Sequence, residues 1–300
     1  MPRTVGFIGV GRLGLPLARL LLDAGFSVAT TKRGRSDELV SHGGHIPGDG
    51  SPLAVAEVSD VVITCMPSVS SFEEVLDGPD GILRASVVPS VIETSTLPVP
   101  VKLRAREKLL SAQASLLDAP VSGTPAMVER KMAMIYASGE HDLFLRHETV
   151  LQAMSGRATY VGPSFEGSKY KFVAQFLATI HATAAVHAMV YAQRAGLDLD
   201  QVSKLISASP GATSGQFQVR APLIAAGQFE GKQVTVDVML KDVDEVLAYG
   251  RQIGAPTDLL EIVAQQYHRL SEAGQGDAEP AALFLPLLDA AAAVAPDAVT

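Results

Sequence analysis

The spacing of three glycines near the start of the chain constrains its fold more than any other feature. Gly9, Gly11 and Gly14 stand in G-x-G-x-x-G order, directly after an apolar run and directly before a helical pattern. In a strand–turn–helix unit the first glycine makes the tight turn, the second lets the backbone approach a pyrophosphate, and the third lets the helix pack on the sheet. N–H groups at the helix N-terminus then hold the pyrophosphate. The pattern predicts a dinucleotide-binding loop that includes Arg12 and Leu13; a chance glycine cluster is the alternative.

The residues after the second predicted strand, 26–31, indicate which dinucleotide binds. A site that prefers NAD carries Asp or Glu here to bind the ribose 2′-hydroxyl. This chain instead has Lys32, Arg33 and Arg35, and its first acid is Asp37. The planar guanidinium of Arg33 can pair with two phosphate oxygens. The loop therefore predicts NADP(H), with NAD(H) possible, and an ordinary solvated basic loop is the alternative.

Length and charge exclude several functional classes. A chain of 300 residues suits two domains, and 47% apolar with 19% charged residues is typical of a well-packed globular protein. The formal net charge of −8 argues against nucleic acid or an anionic membrane as the main partner. The single cysteine, Cys65, allows no internal disulfide and suits a reducing compartment. Because residues 1–4 lead directly into the first strand and leave no room for a targeting segment, we expect a cytoplasmic protein.

Strand and helix patterns alternate along the first half of the chain and then give way to helices. The strand candidates are 5–8, 27–30, 61–65, 90–93, 115–118, 133–137 and 159–161. The later helix candidates are 169–195, 199–208, 235–252, 256–273 and 280–294. This order predicts an α/β fold: an N-terminal Rossmann-type doubly wound sheet, residues 1–164, followed by an all-α C-terminal domain, residues 165–300.

One predicted helix carries no formal charge over residues 172–193, a length that could cross a bilayer. Its Gln175, His181 and His187 are costly in hydrocarbon, so a helix buried between domains or in a subunit interface explains it better. Together with the Ala-rich tail 290–300, this apolar helix predicts that the protein is at least a homodimer. We expect no membrane and no nucleic acid as partner, only a small-molecule substrate.

The seven histidines do not predict a metal site. His42 and His45 flank two glycines, and no nearby carboxylate or cysteine completes a ligand set. His141 and His147 lie among charges in a predicted surface helix. We therefore predict no metal.

Three predicted loops follow neighbouring strands. Met66 and Pro67 follow one strand, and Pro67 fixes its loop; the run 94–96, Thr-Ser-Thr, follows the next, and the run 118–124, Asp-Ala-Pro-Val-Ser-Gly-Thr, follows a third. Carboxyl ends of parallel strands meet at one edge of a doubly wound sheet, where ligands bind. Each loop alone is more often an ordinary turn, but together with the glycine motif they predict one ligand crevice.

Motifs along the chain together carry a resemblance to a known family. They are Gly-Phe-Ile-Gly-Val-Gly-Arg-Leu-Gly-Leu-Pro-Leu-Ala at 6–18, Thr-Ser-Thr at 94–96, Asp-Ala-Pro-Val-Ser-Gly at 118–123, Gly-Ser-Lys-Tyr-Lys at 167–171 and Lys-Asp at 241–242. Over almost its whole length the chain resembles the β-hydroxyacid dehydrogenases, the group of 3-hydroxyisobutyrate dehydrogenases and tartronate semialdehyde reductases. The resemblance implies hydride transfer between a nicotinamide cofactor and a small β-hydroxy acid or its semialdehyde.

The resemblance also implies roles for particular residues. Lys171 matches the lysine of the family's G-x-x-x-K motif and would be the general acid/base. A lysine partly removed from water can exchange a proton near neutral pH, and such transfer typically contributes about 10²–10⁴-fold. By the same resemblance Ser122, Gly123 and Thr124 would hold the substrate carboxylate, and Lys241 would lie near the nicotinamide. Within the cofactor site we also place Lys32, Arg33, Met66, Pro67 and Thr96.

The chain departs from the family pattern around the substrate. Gln175, one helical turn after Lys171 and on the same face, stands in for an asparagine and would bind substrate. Thr124 replaces a glycine, and His187 replaces a glutamate typical of the long helix. The lysine and the cofactor loop persist while these residues differ. The pattern predicts an altered, bulkier or less polar substrate.

Two other functions stay open on the sequence alone. Imine or ketone reductases look like the same two-domain architecture, but they usually carry Asp or Tyr where this chain has Lys171. A non-catalytic NADP(H)-binding regulator would also tolerate an altered substrate site, although it has no use for that amine.

Overall fold

The computed structural model describes residues 4–294, and the chain divides into two compact units, one up to Phe172 and one from Val173. The domain boundary expected between residues 164 and 165 stays a prediction. Residues 1–3 and 295–300 lie outside the described residues, so the expectations about a leader and about the end of the Ala-rich tail stay predictions.

Within the described residues, eight strands form one sheet in the first unit. They are β1 Thr4–Ile8, β2 Ser27–Thr30, β3 Val61–Thr64, β4 Ser90–Glu93, β5 Leu116–Asp118, β6 Val121–Ser122, β7 Met134–Ser138 and β8 Ala158–Gly162. The order is β2-β1-β3-β4-β5-β7-β6, with β8 beside β7. Strands β2, β1, β3, β4 and β5 are parallel, whereas β7 runs antiparallel to β5 and β6. The sheet is therefore mixed, and the two-residue strand β6 was too short for its pattern to predict.

Helices cover both faces of this sheet. They are α1 Gly14–Asp23, α2 Ser36–Ser41, α3 Pro52–Glu57, α4 Val69–Asp77, α5 Val99–Ser111, α6 Pro125–Glu129 and α7 His141–Met154, with a 3₁₀ turn at Ile82–Arg84. Because successive side chains of a strand point to opposite faces, Phe7 and Ile8 of β1 enter two different cores. Phe7 packs in the core that contains Leu17 of α1, and Ile8 in the core that contains Phe72 of α4. Two cores on opposite faces define the doubly wound sheet that the sequence predicted.

The second unit is helical throughout its described residues, apart from an isolated bridge between Glu230 and Ala278. Helix α8, Glu166–Arg194, begins in the first unit and continues into the second. It is followed by α9 Leu199–Ser207, α10 Gly215–Ala225, α11 Val236–Gln252, α12 Asp258–Leu270, a π-type turn Ser271–Gln275, a 3₁₀ turn Pro280–Leu283 and α13 Phe284–Val294. The predicted fold class is confirmed. Helix α10 was missed because Pro222 lies inside it, and proline ordinarily ends a helix.

The long uncharged helix is buried on one face only. Thr179 and Thr183 of α8 are buried, whereas Val173, Leu177 and Tyr191 are exposed on this one chain, and burial of the helix between domains or in a subunit interface stays a prediction. Among the described residues, α8 is the one helix whose length and mean hydropathy of 1.4 would suit a membrane span, a test that core helices also pass. The absence of a membrane partner stays a prediction.

Two other side chains lie differently from expectation. His147 of α7, expected on a surface helix, is buried, and its Nε2 lies 2.8 Å from Oγ of Ser90. Burial, assisted by the nearby charge of Arg146, lowers the pKa of His147 to about 4. Cys65, the last residue of the strand predicted at 61–65, instead follows β3 and is half-buried.

Candidate functional site

The loop between β1 and α1 has the shape expected of a pyrophosphate cradle. Gly9 adopts a φ of +105°, and a Cβ there would lie 2.2 Å from the carbonyl oxygen of Cys65. A Cβ on Gly14 would lie 2.0 Å from the carbonyl oxygen of Gly9. A Cβ on Gly11, in contrast, would meet nothing within 4 Å. Gly9 and Gly14 are therefore required by the turn itself, whereas Gly11 leaves space where a ligand can approach the backbone.

The start of α1 is suited to an anion. Leu13 is its N-cap residue and offers no side-chain acceptor, the first turn contains no acid, and the neighbouring Arg12 is exposed. N–H groups at the start of a helix need an acceptor, and the helix dipole favours a negative one. The residues present therefore fit the phosphates of a dinucleotide.

The basic loop after β2 lies next to the glycine loop. Lys32 and Arg33 are exposed, and the backbone N–H of Arg35 donates to the carbonyl oxygen of Val10 at 3.0 Å. The end of β2 is where the ribose of a dinucleotide lies in this kind of fold. Lys32 and Arg33 thus lie at the end of β2, and their part in binding a 2′-phosphate stays a prediction.

Two cations of that loop already have carboxylate partners. Arg33 Nη1 lies 3.3 Å from Oε1 of Glu74 on α4, and both side chains are largely exposed. Arg35 Nη2 donates to Oε2 of Glu38 at 2.7 Å, and this hydrogen bond raises the pKa of Arg35. Arg35 thus belongs to the start of α2, which reduces the basic character expected of the loop.

The loops after β3 and β4 are joined by hydrogen bonds. The N–H of Met66 donates to Oγ of Ser95 at 2.7 Å, and Thr94 donates to the carbonyl oxygen of Thr64 through both its N–H and its Oγ1. Pro67 is exposed and Thr96 is buried. The structure therefore brings Met66, Pro67 and Thr96 to the same edge of the sheet as the glycine loop.

The run after β5 joins the same edge. The N–H of Val121 donates to the carbonyl oxygen of Thr94 at 3.3 Å, which places the adjacent Ser122 beside the loop after β4. A Cβ on Gly123 would lie 2.8 Å from Cβ of Ala133, so packing requires this glycine. Thr124 is the N-cap of α6, and its Oγ1 accepts from the N–H of Met127 at 3.3 Å. The capping bond leaves the Thr124 hydroxyl proton available for another acceptor.

The first turn of α8 is capped by side chains from the sheet. The N–H of Gly167 donates to Oγ of Ser138 at 2.9 Å, and the N–H of Ser168 donates to Oδ2 of Asp118 at 2.8 Å. Lys171, one turn further along, is only 6% exposed, whereas Lys169 is exposed and pairs with Glu166 at 2.7 Å. Lys171 is the buried lysine of this turn, and Lys169 is the surface lysine.

A buried charged cluster lies beneath these loops, and no sequence signal predicted it. Lys102 of α5 is fully buried between Glu93, at the end of β4, and Asp118, at the end of β5. In sequence Lys102 is one of several charges on a helix with exposed Arg and Lys residues, which gives no sign of burial. Glu93 was not singled out either, and Asp118 was noted only as the start of a motif.

Two predicted site residues belong to the second unit. Lys241 lies on α11 with its Nζ 3.3 Å from Oδ1 of Asp242, and Gln175 is half-buried on α8 four residues after Lys171. The first unit by itself brings together the other predicted residues. Over the described residues, no group of three or more His, Cys, Asp or Glu side chains could hold a metal ion; the prediction of no metal stays a prediction.

Comparison with known proteins agrees with this geometry. Residues 4–162 match the NAD binding domain of 6-phosphogluconate dehydrogenase, and residues 166–287 match the NAD-binding domain of NADP-dependent 3-hydroxyisobutyrate dehydrogenase. The L-threonate dehydrogenase of Cupriavidus necator is 32% identical over 95% of this chain and 96% of its own length.

Solved structures show the same likeness. The crystal structure of 3-hydroxyisobutyrate dehydrogenase from Salmonella typhimurium superposes with a TM-score of 0.85 at 26% identity, covering 94% of this chain and 98% of that one. An imine reductase from Pseudomonas sp. has a TM-score of 0.61 at 25% identity, covering 95% and 99% of the two chains. The second likeness is clearly the weaker.

The doubly wound sheet, the pyrophosphate cradle and the helical second unit define an NAD(P)-binding oxidoreductase. The chain belongs to the β-hydroxyacid dehydrogenase family. It is an NAD(P)-dependent dehydrogenase or reductase that acts on CH–OH groups.

Proposed function

We propose that this enzyme is NADP-dependent and transfers hydride between the nicotinamide and a small β-hydroxy acid or its semialdehyde, with Lys171 as general acid/base. One observation carries the proposal: a buried lysine lies one turn after the first turn of α8, and that turn is hydrogen-bonded to Asp118 and Ser138 at the sheet edge where the cofactor loops meet. A buried amine at a ligand-binding edge is suited to proton transfer.

The preference for NADP is supported by the loop after β2. Lys32 and Arg33 are exposed there, and Asp or Glu, which would bind a free 2′-hydroxyl, is absent from residues 31–35. The Glu74 partner of Arg33 does not prevent binding, since an exposed ion pair is worth at most about 1 kcal/mol and a phosphate can replace the carboxylate. The match of residues 166–287 to an NADP-dependent enzyme supports the same choice.

In this proposal each site residue has a separate role in the reaction. NADP⁺ held by the glycine loop with Lys32 and Arg33 would supply the hydride acceptor for the carbon that carries the hydroxyl. Lys171 takes the hydroxyl proton in oxidation and returns it to the carbonyl oxygen in reduction, so that its amine gains or loses one proton per turnover. Ser122, Gly123 and Thr124 would hold the substrate carboxylate through N–H and O–H donors. By the family resemblance, Gln175 would orient the substrate and Lys241 would act on the nicotinamide.

We also propose that the protein is cytoplasmic and at least a homodimer. The exposed apolar side chains Val173, Leu177 and Tyr191 of α8 support association with a second copy, because water contact with such side chains is unfavourable.

The decisive experiment compares Lys171→Ala with Lys169→Ala, a matched removal of an exposed lysine two residues away. Nicotinamide absorbance is followed with NADP⁺ or NAD⁺ and a panel that contains L-threonate, 3-hydroxyisobutyrate and other short β-hydroxy acids. We expect kcat to fall by about 10²–10⁴-fold in Lys171→Ala because proton transfer is lost. Lys169→Ala should stay within twofold of wild type.

The controls separate the alternatives. Dinucleotide binding must be retained in Lys171→Ala for the loss to concern chemistry. Turnover within a few-fold of wild type in Lys171→Ala would refute its role. Reduction of cyclic imines without any hydroxy-acid activity would favour the imine reductase function, and tight NADP(H) binding without turnover of any substrate would favour a regulator.

A further inference from the structure

Lys102 is completely enclosed by acceptors. Its Nζ lies 2.7 Å from Oδ1 of Asp118 and 2.6 Å from Oε2 of Glu93, and it donates to the carbonyl oxygen of Ser95 at 2.8 Å. The contacts with Asp118 and with the Ser95 carbonyl are hydrogen bonds, and the contact with Glu93 is an ion pair. The side chain has no exposed surface. Lys102 therefore cannot touch a substrate in this conformation, and any part in the reaction has to pass through its partners.

On one side the cluster reaches the helix that carries Lys171. Oδ1 of Asp118 accepts from Nζ of Lys102 and from Oγ of Ser168 at 2.9 Å, and Oδ2 accepts from the N–H of Ser168 at 2.8 Å and from Oγ of Ser138 at 3.1 Å. Oγ of Ser138 in turn accepts from the N–H of Gly167. Asp118 thus holds the first turn of α8 in place of a local cap residue.

On the other side the cluster reaches the predicted cofactor loops. Oε1 of Glu93 accepts from the N–H of Ser95 at 2.8 Å, and Oγ of Ser95 accepts from the N–H of Met66 at 2.7 Å. A continuous set of hydrogen bonds and ion pairs therefore joins the loop after β3, the loop after β4 and the start of α8. Lys102 lies at its centre.

The charges require Lys102 to stay in place. Burial raises the pKa of Glu93 although Lys102 opposes the rise. Burial also works to lower the pKa of Lys102, but the attraction of Asp118 and Glu93 outweighs it, and the net pKa is raised. Lys102 thus remains charged, and its removal would leave two buried carboxylates without a cation, a strongly unfavourable arrangement.

The position of Lys171 depends on this arrangement through simple helix geometry. Residues three apart on a helix are neighbours, so Ser168 and Lys171 lie on adjoining turns of one side of α8. When the first turn moves, the amine of Lys171 moves with it. A displacement of about 1 Å at a reacting group can cost about 10²-fold in rate.

We propose that Lys102 is a positioning residue of this enzyme: through Asp118 it holds the first turn of α8, and so fixes where the Lys171 amine lies relative to the cofactor loops. The inference rests on the proposed role of Lys171. It assigns to the buried cluster a part in the rate of proton transfer, where the alternative is a part in stability alone.

The test compares four variants and wild type. Glu93→Gln is the reference, and Lys102→Met is made in that background, where the cluster keeps the net charge of −1 that it has in wild type with both carboxylates ionised. Ser168→Ala removes one hydrogen bond to Asp118 and retains a good helix former. Ser203→Ala, which removes a buried hydroxyl from α9, is the matched control. Each is assayed for kcat, for the KM and dissociation constant of NADP(H), and for residue-resolved amide hydrogen exchange.

We expect Lys102→Met/Glu93→Gln to lose about 10–100-fold in kcat relative to Glu93→Gln, with the NADP(H) dissociation constant within threefold. Ser168→Ala should lose about three- to tenfold in kcat, since hydrogen bonds to charged groups are among the stronger ones. The amides of Gly167 and Ser168 should exchange at least about tenfold faster in the double variant, and those of α9 should be unchanged. Ser203→Ala should match wild type.

A purely stabilising cluster would give a different result. The folded fraction would fall, while kcat per NADP(H)-binding molecule and the exchange of Gly167 and Ser168 would match the reference; that result overturns the proposal. Where the double variant does not fold, Ser168→Ala decides: an unchanged kcat and unchanged exchange overturn the inference.

The inference and the proposed function fail separately. An active wild type that loses turnover in Lys171→Ala but retains full kcat in the cluster variants keeps the function and refutes the positioning role. If wild type turns over no substrate of the panel, the proposed function fails, and amide exchange, which needs no substrate, decides whether Lys102 holds the start of α8.

Discussion

Each unit of the protein buries a cluster of charged side chains, and the two clusters differ in what they join. In the first unit Lys102 bridges Glu93 and Asp118 at the carboxyl ends of neighbouring strands. In the second unit Arg220 of α10 pairs with Glu279 at 3.2 Å, just before the 3₁₀ turn Pro280–Leu283. The first cluster has two carboxyl groups to one cation and hydrogen bonds to loops of the candidate site. The second is a balanced pair that links two helical segments.

The difference separates two uses of buried charge. Removal of an ion pair from water costs about as much as, or more than, the attraction within the pair returns, so burial alone does not explain either cluster. Burial raises the pKa of both Glu93 and Glu279, and a cation opposes the rise in each case. Only the first cluster is connected to residues proposed to act on cofactor or substrate. Variants of the two clusters should therefore affect different measurements.

Among variants outside the Lys102 cluster, the largest effect on stability is expected from the pair in the second unit. Arg220→Met leaves Glu279 buried without a cation, which should lower the free energy of unfolding by about 3–5 kcal/mol, as measured by urea titration. The kcat per folded molecule should stay within twofold of wild type. Arg251→Met is the matched control, because Arg251 is largely exposed and pairs with Glu261; it should cost less than about 1 kcal/mol. A tenfold fall in kcat in Arg220→Met would remove the contrast between the clusters.

His147 is a buried titratable group without an opposite charge. Its effect on the free energy of unfolding should depend on pH, which extends the comparison of buried groups. The pKa of His147 is about 4 in the folded protein, whereas the pKa of a histidine in the unfolded chain is about 6.5. Between these values the unfolded chain binds a proton that the folded protein does not, so the free energy of unfolding falls as pH falls from about 6.5 to 4, by up to about 3 kcal/mol. In His147→Gln this contribution should vanish.

The measurement is the difference in unfolding free energy between wild type and His147→Gln across that pH range. His42→Gln, a change at an exposed histidine beside Asp23, is the control for replacement of a histidine as such. Parallel curves for wild type and His147→Gln would show that His147 does not titrate as the structure indicates.

The smallest effect concerns an exposed pair that also belongs to the proposed cofactor site. Arg33→Gln should change the free energy of unfolding by less than about 1 kcal/mol and weaken NADPH binding by about tenfold, the loss of one charge-assisted phosphate contact. NADH binding should not change, because NADH lacks the 2′-phosphate. Fluorescence of the bound dinucleotide gives both constants, and Arg35→Gln is the control. Equal weakening for both cofactors would contradict the assignment of Arg33 to the 2′-phosphate.

Much of the fold could be predicted because its signals are local. β2 and β4 match their predicted bounds, and β1, β3, β5, β7 and β8 fall within one residue of theirs at each end. Alternating apolar residues and a glycine turn are properties of a few consecutive residues. The short strand β6 and the proline-containing helix α10 were missed because their local patterns point elsewhere and tertiary contacts decide.

The site residues likewise differ in whether local sequence or tertiary contacts reveal them. The glycine loop was predictable because Gly9 and Gly14 meet backbone atoms where no side chain fits. The role of Lys171 was inferred from a family resemblance, and the activity of Lys171→Ala tests it. The burial of His147 on α7 was unexpected, because a charged pattern along a helix does not state which neighbours cover it.

The sequence by itself therefore determined the fold class, the positions of seven of the eight described strands, the cradle for the pyrophosphate and the family to which the chain belongs. Only the tertiary structure decided that Lys102 is a buried cation, because its partners Glu93 and Asp118 come from separate strands. It also decided that Asp118, 50 residues earlier in the chain, caps the helix of Lys171 through Ser168. Local propensity is encoded in neighbouring residues, whereas electrostatic interactions depend on distances that arise only when the sheet has formed.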